Sequence, residues 1–149
     1  MLDKCKEIKN SDEYIIYKVT HGLLIISSFI TTVTYSIGID NLKPENHLFV
    51  GWCLGSSVFS LIYGSFCLYI DFKRDVFFQR NNVTFLSFDF LEIFFLFSVS
   101  VSGSILWKYG DNDGKNSFDT GNVFSWITLV IIVITTYQDY MQTMEQFNN

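Results

Sequence analysis

Four long apolar runs separated by short polar links set the pattern of this chain. They read GLLIISSFITTVTYSIGI (Gly22–Ile39), LFVGWCLGSSVFSLIYGSFCLYI (Leu48–Ile70), FLSFDFLEIFFLFSVSVSGSILW (Phe85–Trp107) and VFSWITLVIIVITTY (Val123–Tyr137). None of them alternates apolar and polar positions over about ten residues, as a barrel strand does. A helix is the remaining way to satisfy every backbone group in hydrocarbon. One crossing takes about 20 residues, with a range of about 17–25. The middle two runs have that length as they stand. The first is rich in Ser and Thr, and the fourth is short until extended at each end. The pattern therefore predicts spans at about 19–39, 48–70, 85–107 and 121–138, forming one 19–140 domain. A polar 1–18 segment precedes it, and a short polar tail at 141–149, expected to be mobile, follows it. The expected fold class is all-α: an integral membrane four-helix bundle with both termini in the cytosol.

Composition sharpens this reading. Hydrophobic residues make up 49% of the 149 and the mean hydropathy is +0.27, too much apolar side chain for one water-soluble core to hide. The first 18 residues are hydrophilic and no small-residue cleavage site follows the first run, so that span is expected to act as an uncleaved anchor. Lys and Arg concentrate on the cytosolic side of membrane proteins. Lys4, Lys6, Lys9, Lys18, Lys73, Arg74 and Arg80 fall on one side of the predicted topology; Lys43, Lys108 and Lys115 fall on the other. This places the N- and C-termini in the cytosol. Trp52, Trp107 and Trp126 are the expected interface anchors, with Tyr35 and Tyr109 at the outer level and Tyr17, Tyr69, Tyr137 and Tyr140 at the inner one. The sequon Asn82-Val83-Thr84 then faces the cytosol and stays unglycosylated. The links at 40–47 and 108–122 are too short for a folded domain and favour antiparallel neighbours.

Two carboxylates interrupt the third run. Asp89 and Glu92 are three residues apart and share one helix face. Charged groups at such a depth turn to the bundle interior or to water, and mark either a proton or cation site or a structural pairing. A helix N-terminus also favours acidic side chains nearby. His21 and Lys18 lie at the same expected level and are the candidate partners, with Lys73 and Arg74 as competitors. In the second run Gly51 and Gly55 form a GxxxG spacing, and Ser60 and Gly64 repeat it with a serine, which points to close helix packing inside the bundle or to self-association. Ser98, Ser100, Ser102, Gly103 and Ser104 make the far half of the third run small as well.

Little else carries chemistry. The three cysteines, Cys5, Cys53 and Cys67, form no CxxC and suggest neither a disulfide framework nor zinc. The segment DNDGK (Asp111–Lys115) has the composition of a calcium loop, but its glycine comes fourth rather than sixth, so a turn is expected. There is no nucleophile elbow, P-loop or metal motif. The expectation is a non-enzyme with no cofactor and no metal.

Several anchors together resemble the MARVEL-domain tetraspan proteins, in particular the synaptogyrin and synaptophysin branch. They are Leu68-Tyr69-Ile70-Asp71 closing the second run, the basic link after it, Asp89 near the start of the third run and Trp107 at its end. Phe124-Ser125-Trp126 then opens the fourth, and Tyr137-Gln138-Asp139-Tyr140 closes it. The resemblance implies four helices with cytosolic termini and residence in vesicles or other endomembranes. It also implies a role in organising membrane patches and association with a vacuolar-type proton pump. The cysteines that those vesicle proteins carry in their luminal loops are missing here, and the loops and tail are shorter. The plant Casparian-strip-like relatives pair an Arg of the first span with an Asp of the third; Asp89 matches the Asp, and Lys18 or His21 would replace the Arg. Claudins fit less well, because the first outer link is too short for their extracellular domain. The implied partners are membrane lipids, other integral membrane proteins including a vacuolar-type ATPase or other large complex, and further copies of the chain; nucleic acid is not among them. The alternatives are an accessory subunit of a proton pump or respiratory assembly, and a small transporter using the intramembrane carboxylates.

Overall fold

A computed structural model describes the backbone of residues 2–39, 47–72, 82–106 and 112–147, and the side chains of 15–39, 48–70, 72, 86–105, 116–141 and 144. All of it is helix: α1 (Leu2–Ile39), α2 (His47–Phe72), α3 (Asn82–Leu106) and α4 (Asn112–Phe147). Each helix contains a stretch long and apolar enough to cross a membrane, Ile15–Ile39, Leu48–Ile70, Leu86–Ile105 and Asn116–Met141. Trp107, Tyr109 and the basic residues Lys43, Lys73, Arg74, Arg80 and Lys108 lie outside the described residues.

The helices pack in a ring. α1 touches α2 and α4, α3 touches α4, and α2 meets α3 over the thinnest of these contacts. Neighbours are antiparallel: Thr32 meets Ser57, while Lys18, earlier in α1, lies over Phe72, later in α2. The start of α1, the end of α2, the start of α3 and the end of α4 therefore share one end of the bundle, called here the terminal end.

One expectation about the ends changes. The DNDGK segment is not a turn: α4 already begins at Asn112, so most of the expected 108–122 loop is helix. Asn and Asp are favoured where helices start, and a polar first turn can stand clear of the bilayer. Within the 141–149 tail, α4 continues through Phe147.

The bundle is apolar outside and polar within. Phe29, Ile37, Leu48, Ile62, Phe66, Phe94 and Val130 project outward, where lipid rather than water receives them. His21, Ser27, Ser28, Thr31, Ser57, Ser60, Asp89, Glu92, Ser100, Ser125, Thr128, Thr135 and Asp139 turn inward and are buried. Many of these hydroxyls donate back to their own helix, as Thr31 does to the Ser27 carbonyl at 2.9 Å and Thr136 to that of Ile132 at 2.8 Å. Others link helices: Thr32 donates to Ser57 at 3.0 Å and Ser100 to Ser125 at 3.1 Å. Such bonds each contribute about 0.6 kcal/mol on average within a bilayer.

Two apolar clusters interrupt the polar interior. Tyr35, Val50, Cys53, Val99 and Phe118 fill the end away from the termini. Leu24, Tyr63, Cys67, Leu96, Leu129 and Ile132 fill the other half. The first cluster depends on glycine. A Cβ on Gly38 would lie 2.6 Å from the tip of the Phe118 ring, and one on Gly103 would run into the Tyr35 hydroxyl. On the opposite side of that tyrosine, a Cβ on Gly121 would come within 2.9 Å of Thr34 Oγ1.

Candidate functional site: a buried carboxylate pair

Asp89 and Glu92 are both fully buried on the inner face of α3. Their three-residue separation makes them neighbours along that face, Glu92 about 4.5 Å further from the terminal end. α2 runs past them in the opposite direction and presents Tyr63 and Ser60 with the same spacing. The Tyr63 hydroxyl donates to Asp89 Oδ1 at 2.5 Å. Ser60 donates within its own helix, to the Ser56 carbonyl at 3.1 Å. Neither oxygen of Glu92 receives a hydrogen bond. The two carboxylates thus occupy matched positions and have different environments.

The remaining predicted residues scatter around this pair. His21 is fully buried on α1, its ring tilted against Tyr17 at 6.1 Å between centroids. Lys18 reaches toward the end of α2, its Nζ 4.6 Å from the centre of the Phe72 ring, a cation–π distance. Asp139 of α4 is also buried in this half. Tyr17, His21, Tyr63, Asp89, Glu92 and Asp139 therefore collect toward the terminal end from all four helices.

The small residues of α2 divide. Gly64 packs against α1, where a Cβ would lie 3.2 Å from Leu24 and Ile25, and Ser60 is buried. Gly51 and Gly55 face outward, and a Cβ on either would meet nothing within 4 Å. Gly51 floors a groove of about 620 Å³ bordered by Leu48, Phe49, Trp52 and Ser102, and Gly51 and Gly55 together floor a smaller one beside Phe59 and Phe95. Trp52 forms the ridge between them; its indole N–H donates to Ser98 at 2.6 Å and its ring meets Phe95 edge-on at 5.6 Å. Trp126 lies well inside the Asn116–Met141 span, edge-on to Phe97 at 6.4 Å.

Sequence reading did not single out Tyr63, Gly38 or Gly121. Tyr63 lies in an apolar run with no motif around it. Its signal was register: in antiparallel helices, the i, i+3 pair Ser60 and Tyr63 matches the i, i+3 pair Asp89 and Glu92.

Among the described residues no group of three or more His, Cys, Asp or Glu could hold a metal ion. No protein-family model, curated protein or solved structure matches the chain. Length, composition and packing together define an integral multi-pass membrane protein with four candidate spans.

Proposed function

We propose that the chain is a non-catalytic tetraspan that organises a patch of membrane by binding other membrane proteins within the bilayer. The supporting observation is the open Gly51/Gly55 face of α2. Small residues at i and i+4 let another helix approach closely, and among the described residues nothing comes within 4 Å of a Cβ at either glycine. The grooves beside Trp52 give the same face relief that a flat lipid-facing surface lacks.

The MARVEL-type resemblance extends this reading to vesicle or endomembrane patches, with both termini in the cytosol and a vacuolar-type proton pump among the candidate partners. An accessory subunit of one large complex would use the same face. The test is extraction of the full chain from its own membranes in mild detergent, followed by sizing and mass spectrometry of what travels with it. The proposal expects membrane proteins to accompany the wild type and to be lost from a Gly51→Leu/Gly55→Leu variant that still folds. A chain that travels alone, or partners indifferent to that variant, would sink it. One assembly of fixed stoichiometry would favour the accessory subunit; a mixture with self-oligomers would favour the organiser.

A further inference from the structure

We propose, resting on the docking role of the Gly51/Gly55 face, that the partner it takes is a second copy of this chain, joined as a two-fold dimer.

Ser56 differs from the other serines of its helix. α2 has four between Leu48 and Ile70. Three donate within the helix: Ser57 to the Leu54 carbonyl at 3.0 Å, Ser60 to that of Ser56 at 3.1 Å and Ser65 to that of Leu61 at 2.7 Å. The Ser56 hydroxyl bonds to none of the described residues. Ser56 is only 6% exposed, and it lines the smaller groove with Gly55, Phe59 and Phe95. In hydrocarbon a polar group with neither water nor a bond is costly. Whatever fills that groove should therefore bring a hydrogen-bonding group to Ser56.

The electrostatics of the face suit its own copy. α2 carries no charged residue between Leu48 and Ile70, so a second α2 brings no like charge against it. A hydroxyl has one proton and two lone pairs, which makes it complementary to another hydroxyl. One Ser56 can donate to the other, whereas a pair of identical carboxylates or ammonium groups would repel.

Symmetry adds a condition on depth. Copies inserted the same way are related by an axis along the membrane normal, so each residue meets groups at its own level in the other copy. A face that pairs with itself must hold its ridge, its hollows and its bonding group at one level. Gly51, Trp52, Gly55 and Ser56 lie within about two turns, and Trp52 stands between the two grooves.

The rest of the helix fits such a crossing. A Cβ on Gly51 or Gly55 would meet nothing within 4 Å, so the backbone there is open to close approach. Helices that meet at a glycine pair of this spacing cross at about 40° and part on either side. Toward the terminal end the same side of α2 exposes Val58, Ile62, Phe66 and Tyr69 in turn. Their size increases with distance from the glycines, as a widening gap requires.

Sedimentation equilibrium of the purified full-length chain in a density-matched detergent tests this. The wild type is expected to show a reversible monomer–dimer equilibrium. Gly55→Leu, which overfills the contact from a position with open space around it, should raise the dimer Kd about tenfold or more. Ser56→Ala should raise it about threefold, the average weight of a hydrogen bond between membrane helices. Gly22→Leu, at an equally open glycine on α1, should leave it unchanged. Circular dichroism checks that each variant folds; if Gly55→Leu does not, Ser56→Ala against Gly22→Leu decides. A folded wild type that stays monomeric, a trimer or larger ring, a Kd moved by neither α2 variant, or one raised equally by Gly22→Leu would each overturn the proposal. A monomeric purified chain that still loses membrane partners in Gly51→Leu/Gly55→Leu would overturn the dimer and leave the docking role standing. A dimer that leaves its membranes with no other protein would do the reverse.

Discussion

Tyr63→Phe removes one oxygen from the bundle and almost nothing else, which makes it the sharpest probe of the α2–α3 contact. That oxygen donates to Asp89 at 2.5 Å with both residues buried. A hydrogen bond to a charged group contributes about 1.5–3 kcal/mol in water-soluble proteins. Polar pairs between membrane helices average only about 0.6 kcal/mol, with a maximum near 1.7, because the unfolded helices find other partners in the bilayer. The short distance and the absence of solvent place this pair at the upper end of the membrane range, so a coupling of about 1.5 kcal/mol is expected. The measurement is a double-mutant cycle of Tyr63→Phe and Asp89→Leu, which leaves no acceptor for the hydroxyl, unfolded reversibly by SDS in mixed micelles and followed by circular dichroism. The two changes should be strongly non-additive. A coupling below about 0.3 kcal/mol, the level seen for independent sites, would refute the idea that this bond joins α2 to α3.

The glycines supply a matched contrast. Gly38→Ala places a methyl 2.6 Å from the buried Phe118 ring and should destabilise the fold by about 1–3 kcal/mol in the same SDS assay. Gly51→Ala meets no atom within 4 Å and should stay within about 0.5 kcal/mol of wild type. Trp52 fluorescence should change in Ser98→Ala, which removes the acceptor 2.6 Å from its indole N–H; comparison with a Trp52→Phe background isolates the signal. For the proposed topology, Asn82 should remain unglycosylated in microsomes while a sequon placed in the 40–46 link is modified; the reverse pattern would turn the molecule over.

The four spans were legible because length and continuous hydrophobicity are properties of the sequence alone. The helix faces were harder to read. A helix that is apolar all round carries little record of which side meets protein and which meets lipid. Gly51 and Gly55 show the difficulty: the spacing announces that a backbone can approach, without saying whose. Asp89 and Glu92 were visible as anomalies because charge is rare at that depth, whereas Tyr63, their neighbour, resembled the other aromatic residues of its run. The helical start at Asn112 was hidden for another reason, since polar residues beyond a span look like a loop whether or not the helix continues through them.

The placement of both carboxylates on α3 also bears on how the chain enters the membrane. Between Leu86 and Ile105 this helix has twelve Leu, Ile, Phe and Val residues. On the insertion scale they favour the bilayer by roughly 0.3–0.6 kcal/mol each, while a mid-span acid opposes it by roughly 2.5–3.5 kcal/mol. Asp89 and Glu92 lie in the first half of the span, so each costs less than that central value, and together they remove much of the margin that α3 has on its own. The hydroxyl that receives Asp89 belongs to α2, the helix made just before it and joined to it by the 73–81 link. Entry of α2 and α3 as a hairpin, with Tyr63 already opposite Asp89, would restore part of that margin, so the bond that joins two helices in the finished bundle also makes the later one dependent on the earlier for its admission to the bilayer.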